Sequence, residues 1–350
     1  MNILYPEDCK TFSSGSTYYW GSLFGSSEAL ALIEFAKTQQ QVVLYVAKDI
    51  KHYVQIQRAL NFYNSSLNIL GFSNWEVLAF DHFSPHPDIV SSRLETLSQL
   101  ATLKTGIVIT TLESLSQRLC PTDYIDKYSF SLNAGETLEI EPFVNKLLKI
   151  GYRRVSTVME QGEFNIKGAL IDLYPMGAKS PYRIDLFDNE IDSIRTFKAS
   201  TQRSIDVINH IKLLPAREFA SDSESISIFK KNYLSEFGNT DGFIYEEVSE
   251  GRFPGGIEFY LPLFFNETNT LFDYLDTQPI IVHQKGFIEA TQLHGDELLD
   301  RFEHCKLSLQ RLPLPINKVF LNFEELSKLL QDKKKIQTQA PKSNKKESLN

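Results

Sequence analysis

The stretch Gln41-Val42-Val43-Leu44-Tyr45-Val46-Ala47 carries large apolar side chains at every position from Val42 to Val46. A short run of this kind suits a strand buried on both faces, as in a parallel sheet with helices above and below it. The flanks agree. On the amino-terminal side, Gly25 to Lys37 places Ala29, Leu32, Ile33 and Ala36 at helical spacing, and Asp49 to Phe62 is again amphipathic. Trp75 to Phe80 reads as another short strand. Ser92 and Glu95 form an S-x-x-E capping box ahead of Leu97, Leu100 and Leu103, which predicts a helix there. Gly106 to Thr110 reads as a strand, and Thr110 with Glu113 repeats the box before Leu115 and Leu119. Strand alternating with helix over residues 1–118 predicts a mostly parallel sheet.

From 119 to 215 the texture changes. After one amphipathic helix, Glu141 to Ile150, come strands at Gly162 to Tyr174, Pro181 to Phe187 and Ile191 to Phe197. Pro175-Met176-Gly177 and Asp188-Asn189-Glu190 separate them, and such short turns join antiparallel neighbours. A small α+β domain is therefore expected as an insertion in the α/β one. Residues 216–330 return to mixed α/β, with helices at Phe229 to Phe237, Gly286 to Cys305 and Phe323 to Leu330. Strands are expected there at Pro279 to His283 and Val319 to Leu321. Residues 331–350 hold Lys333, Lys334, Lys335, Lys342, Lys345 and Lys346 among few apolar side chains, and read as a disordered tail.

A chain of 350 residues accommodates two or three domains, and its 42% hydrophobic and 23% charged content is ordinary for a globular protein. No apolar run approaches the ~18 residues needed to cross a bilayer, so no membrane partner is expected. Met1 to Tyr19 lacks the basic stretch and apolar core of a secretory signal. Cys9, Cys120 and Cys305 lie far apart, which suits a reducing cytoplasm. A net charge of −8 favours protein partners over duplex DNA. His82 and His86, with Asp81 and Asp88, sit among Pro85 and Pro87 and read as a loop before a metal site. No nucleophile–base constellation suggests itself, and neither a catalytic residue nor a cofactor is expected.

Five stretches together carry a resemblance. They are Phe80-Asp81-His82-Phe83-Ser84-Pro85-His86 with Ser92-Arg93-Leu94; Gly162 to Pro175 (GEFNIKGALIDLYP); Arg183 to Arg195 (RIDLFDNEIDSIR); Leu214-Pro215-Ala216-Arg217-Glu218-Phe219; and Gly256 to Phe265 (GIEFYLPLFF). In order and spacing they are similar to the amino-terminal, UvrB-like module of bacterial transcription-repair coupling factor, Mfd. The second and third are also similar to UvrB. The resemblance implies a degenerate helicase-like, P-loop NTPase-like parallel-sheet lobe split by an inserted α+β UvrB-type interaction domain. It implies UvrA as partner, in the linking of stalled transcription to nucleotide excision repair. In such proteins RNA polymerase and DNA are engaged by later domains, which these 350 residues do not contain. The alternative is a UvrB-like, nucleotide-dependent binder of DNA damage.

That alternative needs a phosphate loop, with glycines for close approach, a Lys for charge and a Ser/Thr for Mg²⁺. The corresponding segment, Trp20 to Ala29, keeps glycines and a helix start but has no Lys, and Glu28 brings negative charge. Ile107 to Glu113 offers no Asp-Glu pair for Mg²⁺. Neither ATP binding nor hydrolysis is expected.

Alternation along Pro181 to Phe187 puts Tyr182, Ile184 and Leu186 on one face and Arg183, Asp185 and Phe187 on the other. The first set is the natural core face. The second has the composition of an interface anchor, an aromatic beside Arg. Equally open on alternation alone, Phe187 tucks under the next hairpin and Arg183 pairs with Asp185. The resemblance implies the first reading. The family's UvrA-contacting positions fall on Lys167, Arg183 and Phe187, with Asp185 on the same face. Lys167 stands where the family usually has Arg, which removes the planar fork for bidentate pairing.

Overall fold

A computed structural model describes residues 15, 17–21, 23, 25–63, 66–307 and 311–338. Cys9, the Met1–Ser14 part of the amino terminus and the lysines beyond Thr338 lie outside the described residues. Among the described residues no helix is long and apolar enough to cross a membrane.

Six strands form a parallel sheet. They are β1 (Thr17–Tyr19), β2 (Val42–Ala47), β3 (Ile69–Phe72), β4 (Gly106–Thr111), β13 (Ile280–Gln284) and β14 (Lys335–Thr338), in the order β1-β14-β13-β2-β4-β3. The reading of residues 41–47 explains why this sheet is sandwiched. Val43, Tyr45 and Ala47 pack with α1 (Ser27–Gln39) and α2 (Ile50–Tyr63), whereas Val42, Leu44 and Val46 pack with α3 (Pro87–Leu100) on the other side. Both faces are covered, so neither parity of β2 needs a polar residue.

Between these strands in the sequence come α4 (Leu112–Ser116), α5 (Thr122–Tyr128), β5 (Phe130–Asn133) and α6 (Ile140–Lys149). A second six-stranded sheet follows, made of β6 (Arg153–Arg154), β7 (Glu163–Lys167), β8 (Leu170–Tyr174), β9 (Tyr182–Phe187), β10 (Glu190–Lys198) and β11 (Arg203–Ile208). Its strands are antiparallel except for the β6–β7 pair. β12 (His210–Leu213) closes on β5. The inner face of this sheet (Phe164, Ile171, Leu173, Ile184, Ile194) joins the core under α3 through Tyr152, Met176 and Leu214. The chain then runs through α7 (Ser223–Phe237), α8 (Phe243–Ser249), a 3-10 helix (Ile257–Phe264), α9 (Phe287–Cys305), α10 (Ile316–Val319) and α11 (Phe323–Gln331). Trp75, Phe80, Phe219, Phe229, Phe259 and Phe264 make a third, aromatic core.

Several expectations are corrected. Trp75–Phe80 is turns and not a strand, because its apolar residues face the aromatic core from a loop in which Phe80 takes a φ of 62°. The helix expected from Ser92 begins at Pro87. His86 caps it by accepting the Asp88 amide at 3.3 Å, and the ring of Pro87 starts it, so Ser92 lies mid-helix. The second box is shifted by one, with Thr111 as cap of α4 accepting the Ser114 amide. Gly162 to Tyr174 is two strands, because Gly168 adopts φ 63° and turns the chain into a β7–β8 hairpin. Val319–Leu321 is no strand, since α10 ends at Val319 and Phe320 makes only an isolated bridge to Gln117. The start of the lysine-rich segment is ordered: β14 inserts between β1 and β13, with Ile336 fully buried.

The first, fourth and fifth stretches behind the resemblance converge. Arg93 donates to Glu218 from Nε at 2.6 Å and Nη2 at 3.2 Å, and Trp75 adds its indole N–H at 3.1 Å. The Ser84 hydroxyl donates to Glu258 at 2.8 Å, and a Cβ on Gly256 would stand 2.2 Å from the Asp81 carbonyl. The loop of residues 81–84 therefore lies directly against the 3-10 helix. His82 accepts from Arg311 at 2.9 Å, which gives it a loop-fixing contact.

Candidate functional site

β9 is the second strand from the turn that closes the β7–β8 hairpin, and its alternation is realised. Ile184 is fully buried and Leu186 nearly so, whereas Arg183, Asp185 and Phe187 face outward. Phe187 is 75% exposed at the strand end, so it does not tuck under the next hairpin. Lys167, exposed at the end of β7, is brought into the same row, since Leu170 pairs with both Lys167 and Asp185. Lys167, Arg183, Asp185 and Phe187 thus share one face of one sheet.

The Arg183–Asp185 ion pair of the alternative reading is not formed. Arg183 pairs with Asp172, directly opposite on β8, through Nε at 2.7 Å and Nη2 at 2.8 Å. That hydrogen-bonded carboxylate raises the guanidinium pKa above its ordinary value, against the effect of burial. Asp185 faces Arg195 on β10 at 3.3 Å instead. Sequence reading missed Asp172, Arg195 and the Phe197 ring, 4.9 Å from the Arg183 guanidinium. The signal for Asp172 was alternation along β8, hidden as long as Gly162 to Tyr174 read as one strand.

The segment compared with a phosphate loop is built differently. Glu28, in the first turn of α1, is buried and takes hydrogen bonds from Tyr45 at 2.8 Å, Thr338 at 2.7 Å and Gln284 at 3.2 Å. His52 Nε2 lies 3.6 Å from it. Burial alone would raise this carboxyl's pKa, but the hydrogen bonds of His52, Thr338 and Tyr45 together bring it below the ordinary value. The carboxylate is thus an internal anion, its lone pairs committed to β2, β13 and β14. At the end of β4, Thr110 donates to the Phe72 carbonyl at 3.0 Å, and Glu113 accepts from Asn74.

The protein thus combines a parallel α/β sheet with an antiparallel sheet whose solvated side carries an aromatic ring and cations. The chain matches the UvrB interaction domain over residues 130–219, from β5 to just past β12. It is 38% identical to the transcription-repair-coupling factor of Haemophilus influenzae over 92% of its length, and 34% identical to that of Escherichia coli over 93%. Over nearly its whole length the chain is thus similar to the amino-terminal module of transcription-repair-coupling factors. It spans 28% of the length of these curated relatives.

Proposed function

We propose that this chain is a docking module that binds UvrA through the outer face of β7–β9 and so links stalled transcription to nucleotide excision repair. The observation that carries this reading is the exposed Phe187 ring on the same sheet face as the cations Lys167 and Arg183. Aromatics and arginines so placed are the usual anchors of protein interfaces. The parallel sheet is, on this reading, a degenerate nucleotide-binding, helicase-like lobe comprising residues 1–118 and 216–330. The interaction domain of residues 119–215 is inserted between those two parts. Glu28 supports this, because a committed carboxylate where a phosphate loop would begin repels a triphosphate. On this reading RNA polymerase and DNA are engaged outside this module, by other parts of the longer relatives.

Calorimetric titration of the chain into UvrA tests the reading. Binding is expected, and Phe187→Ala and Arg183→Glu are each expected to weaken it by more than ~2 kcal/mol. Wild-type affinity in both variants would move the site elsewhere, and no binding by the unmodified chain would sink the proposal. A parallel titration with ATP and Mg²⁺ is expected to give no saturable heat; micromolar binding there would refute the degenerate-lobe reading.

A further inference from the structure

We infer that Asp172 is the positioning residue of this face: it fixes the Arg183 guanidinium so that its remaining N–H groups point outward to a carboxylate on the partner. The inference rests on the reading that this face binds UvrA, and it names the chemistry the face recognises.

A guanidinium has five N–H donors in a rigid plane. In Arg183, Nε and Nη2 each give one to Asp172, at 2.7 and 2.8 Å, and Nη1 gives one to the Gln202 carbonyl at 3.1 Å. Those three are its hydrogen bonds among the described residues, so two N–H groups remain. The clamp is itself held. Asp172 is 6% exposed and lies in register with Arg183, so it cannot swing away into solvent. The Gln202 backbone takes a φ of 58°, and its side-chain amide donates to the Ala199 and Val158 carbonyls at 2.6 and 3.0 Å. The Phe197 ring packs against the guanidinium. The arginine side chain is still 19% exposed, so solvent reaches part of it, and on this inference that part is the unused N–H groups. A long side chain fixed before binding loses little rotamer freedom on binding.

Directed donors on the face select the partner's chemistry. Asp172 is spent on Arg183, and Asp185 on Arg195 with the Ser193 hydroxyl at 3.4 Å. Lys167 has no ion pair among the described residues, but the exposed Glu190 stands opposite Phe187 on β10, so three cations and three anions share the face. What the face offers is the directed donors of Arg183, with the Phe187 ring further along the same strand face. An acidic side chain next to an apolar contact on UvrA matches it.

A double-mutant cycle separates positioning from a merely structural role, using calorimetry into UvrA with Asp172→Asn, Arg183→Ala and both together. Asp172→Asn is expected to weaken binding at least about tenfold alone, and to add less than about twofold once Arg183 is alanine. Phe187→Ala, which touches neither group, is expected to multiply its loss with that of Asp172→Asn. Equal losses from Asp172→Asn in both backgrounds, or wild-type affinity for that variant, overturn the inference and leave the docking reading standing. Absence of binding by the unmodified chain removes both. If Asp172→Asn fails to fold, Asp172→Glu keeps the charge but displaces the guanidinium by roughly one methylene. A loss of about fivefold or more then supports positioning, and wild-type affinity overturns it.

Discussion

Arg93→Ala is expected to lower the stability of the chain by about 3–5 kcal/mol, read as a fall in the urea midpoint. Arg93 is completely buried and Glu218 is 3% exposed, so removing the cation strands a carboxylate away from water. The strand of consequences is local and long-range together. The guanidinium also donates to the Ser73 carbonyl at 2.7 Å and lies over the Phe72 ring at 4.2 Å. Its loss therefore loosens α3, the end of β3 and the segment that returns from the interaction domain. Glu218→Ala should cost a similar amount by stranding the arginine. Replacing both with apolar residues of similar size, Arg93→Met with Glu218→Leu, should cost clearly less than either truncation, because the desolvation of both charges is relieved. A double variant as unstable as the worse single one would show that the hydrogen bonds to Ser73 and Trp75, and not the paired charges, carry the effect.

Glu28→Ala is expected to destabilise by about 3 kcal/mol, since it leaves the buried donors of Tyr45, Thr338 and Gln284 without their acceptor. The effect has a defined pH dependence. The folded-state pKa of Glu28 lies below the ordinary carboxylate value of 4.5. Its contribution is therefore complete at neutral pH, above the unfolded value, and is lost as pH falls through the folded value. Wild type minus Glu28→Gln, measured by urea titration at several pH values, should be constant near neutrality and shrink below about pH 4.5. A difference that grows on acidification would mean that Glu28 is held in its protonated form.

Much of this architecture was legible because burial on two faces writes itself plainly. β2 is apolar at every position, and β4 and β13 each hold three consecutive large apolar residues, Ile107 to Ile109 and Ile280 to Val282, a pattern that suits short strands covered on both faces. The facing of β9 was legible for the opposite reason, since a half-buried strand must alternate. What escaped was set by partners distant in sequence. Trp75 to Phe80 has a strand's composition, but its place is decided by Glu218 and Phe259, which lie far along the chain. β14 has one large apolar residue, Ile336, among polar ones, a signal too short to separate from a solvated tail. On the candidate face, alternation located Arg183 and Phe187 but said nothing of Asp172 or Arg195. Ion pairing depends on the register between strands, and the Gly168 turn that sets it read as strand interior.

The position of β14 has a consequence for how the molecule is made. Among the described residues β1 pairs with β14 alone, and Glu28 on the adjoining helix is tied to Thr338 across 310 positions. As the chain leaves the ribosome, β1 has no neighbour to settle against until residue 338 has emerged, while the local hairpins of β7 to β11 can close long before. Trimming the polypeptide ahead of Lys335 would remove more than one short strand. It would orphan β1 and leave β13 as a bare apolar margin open to self-association.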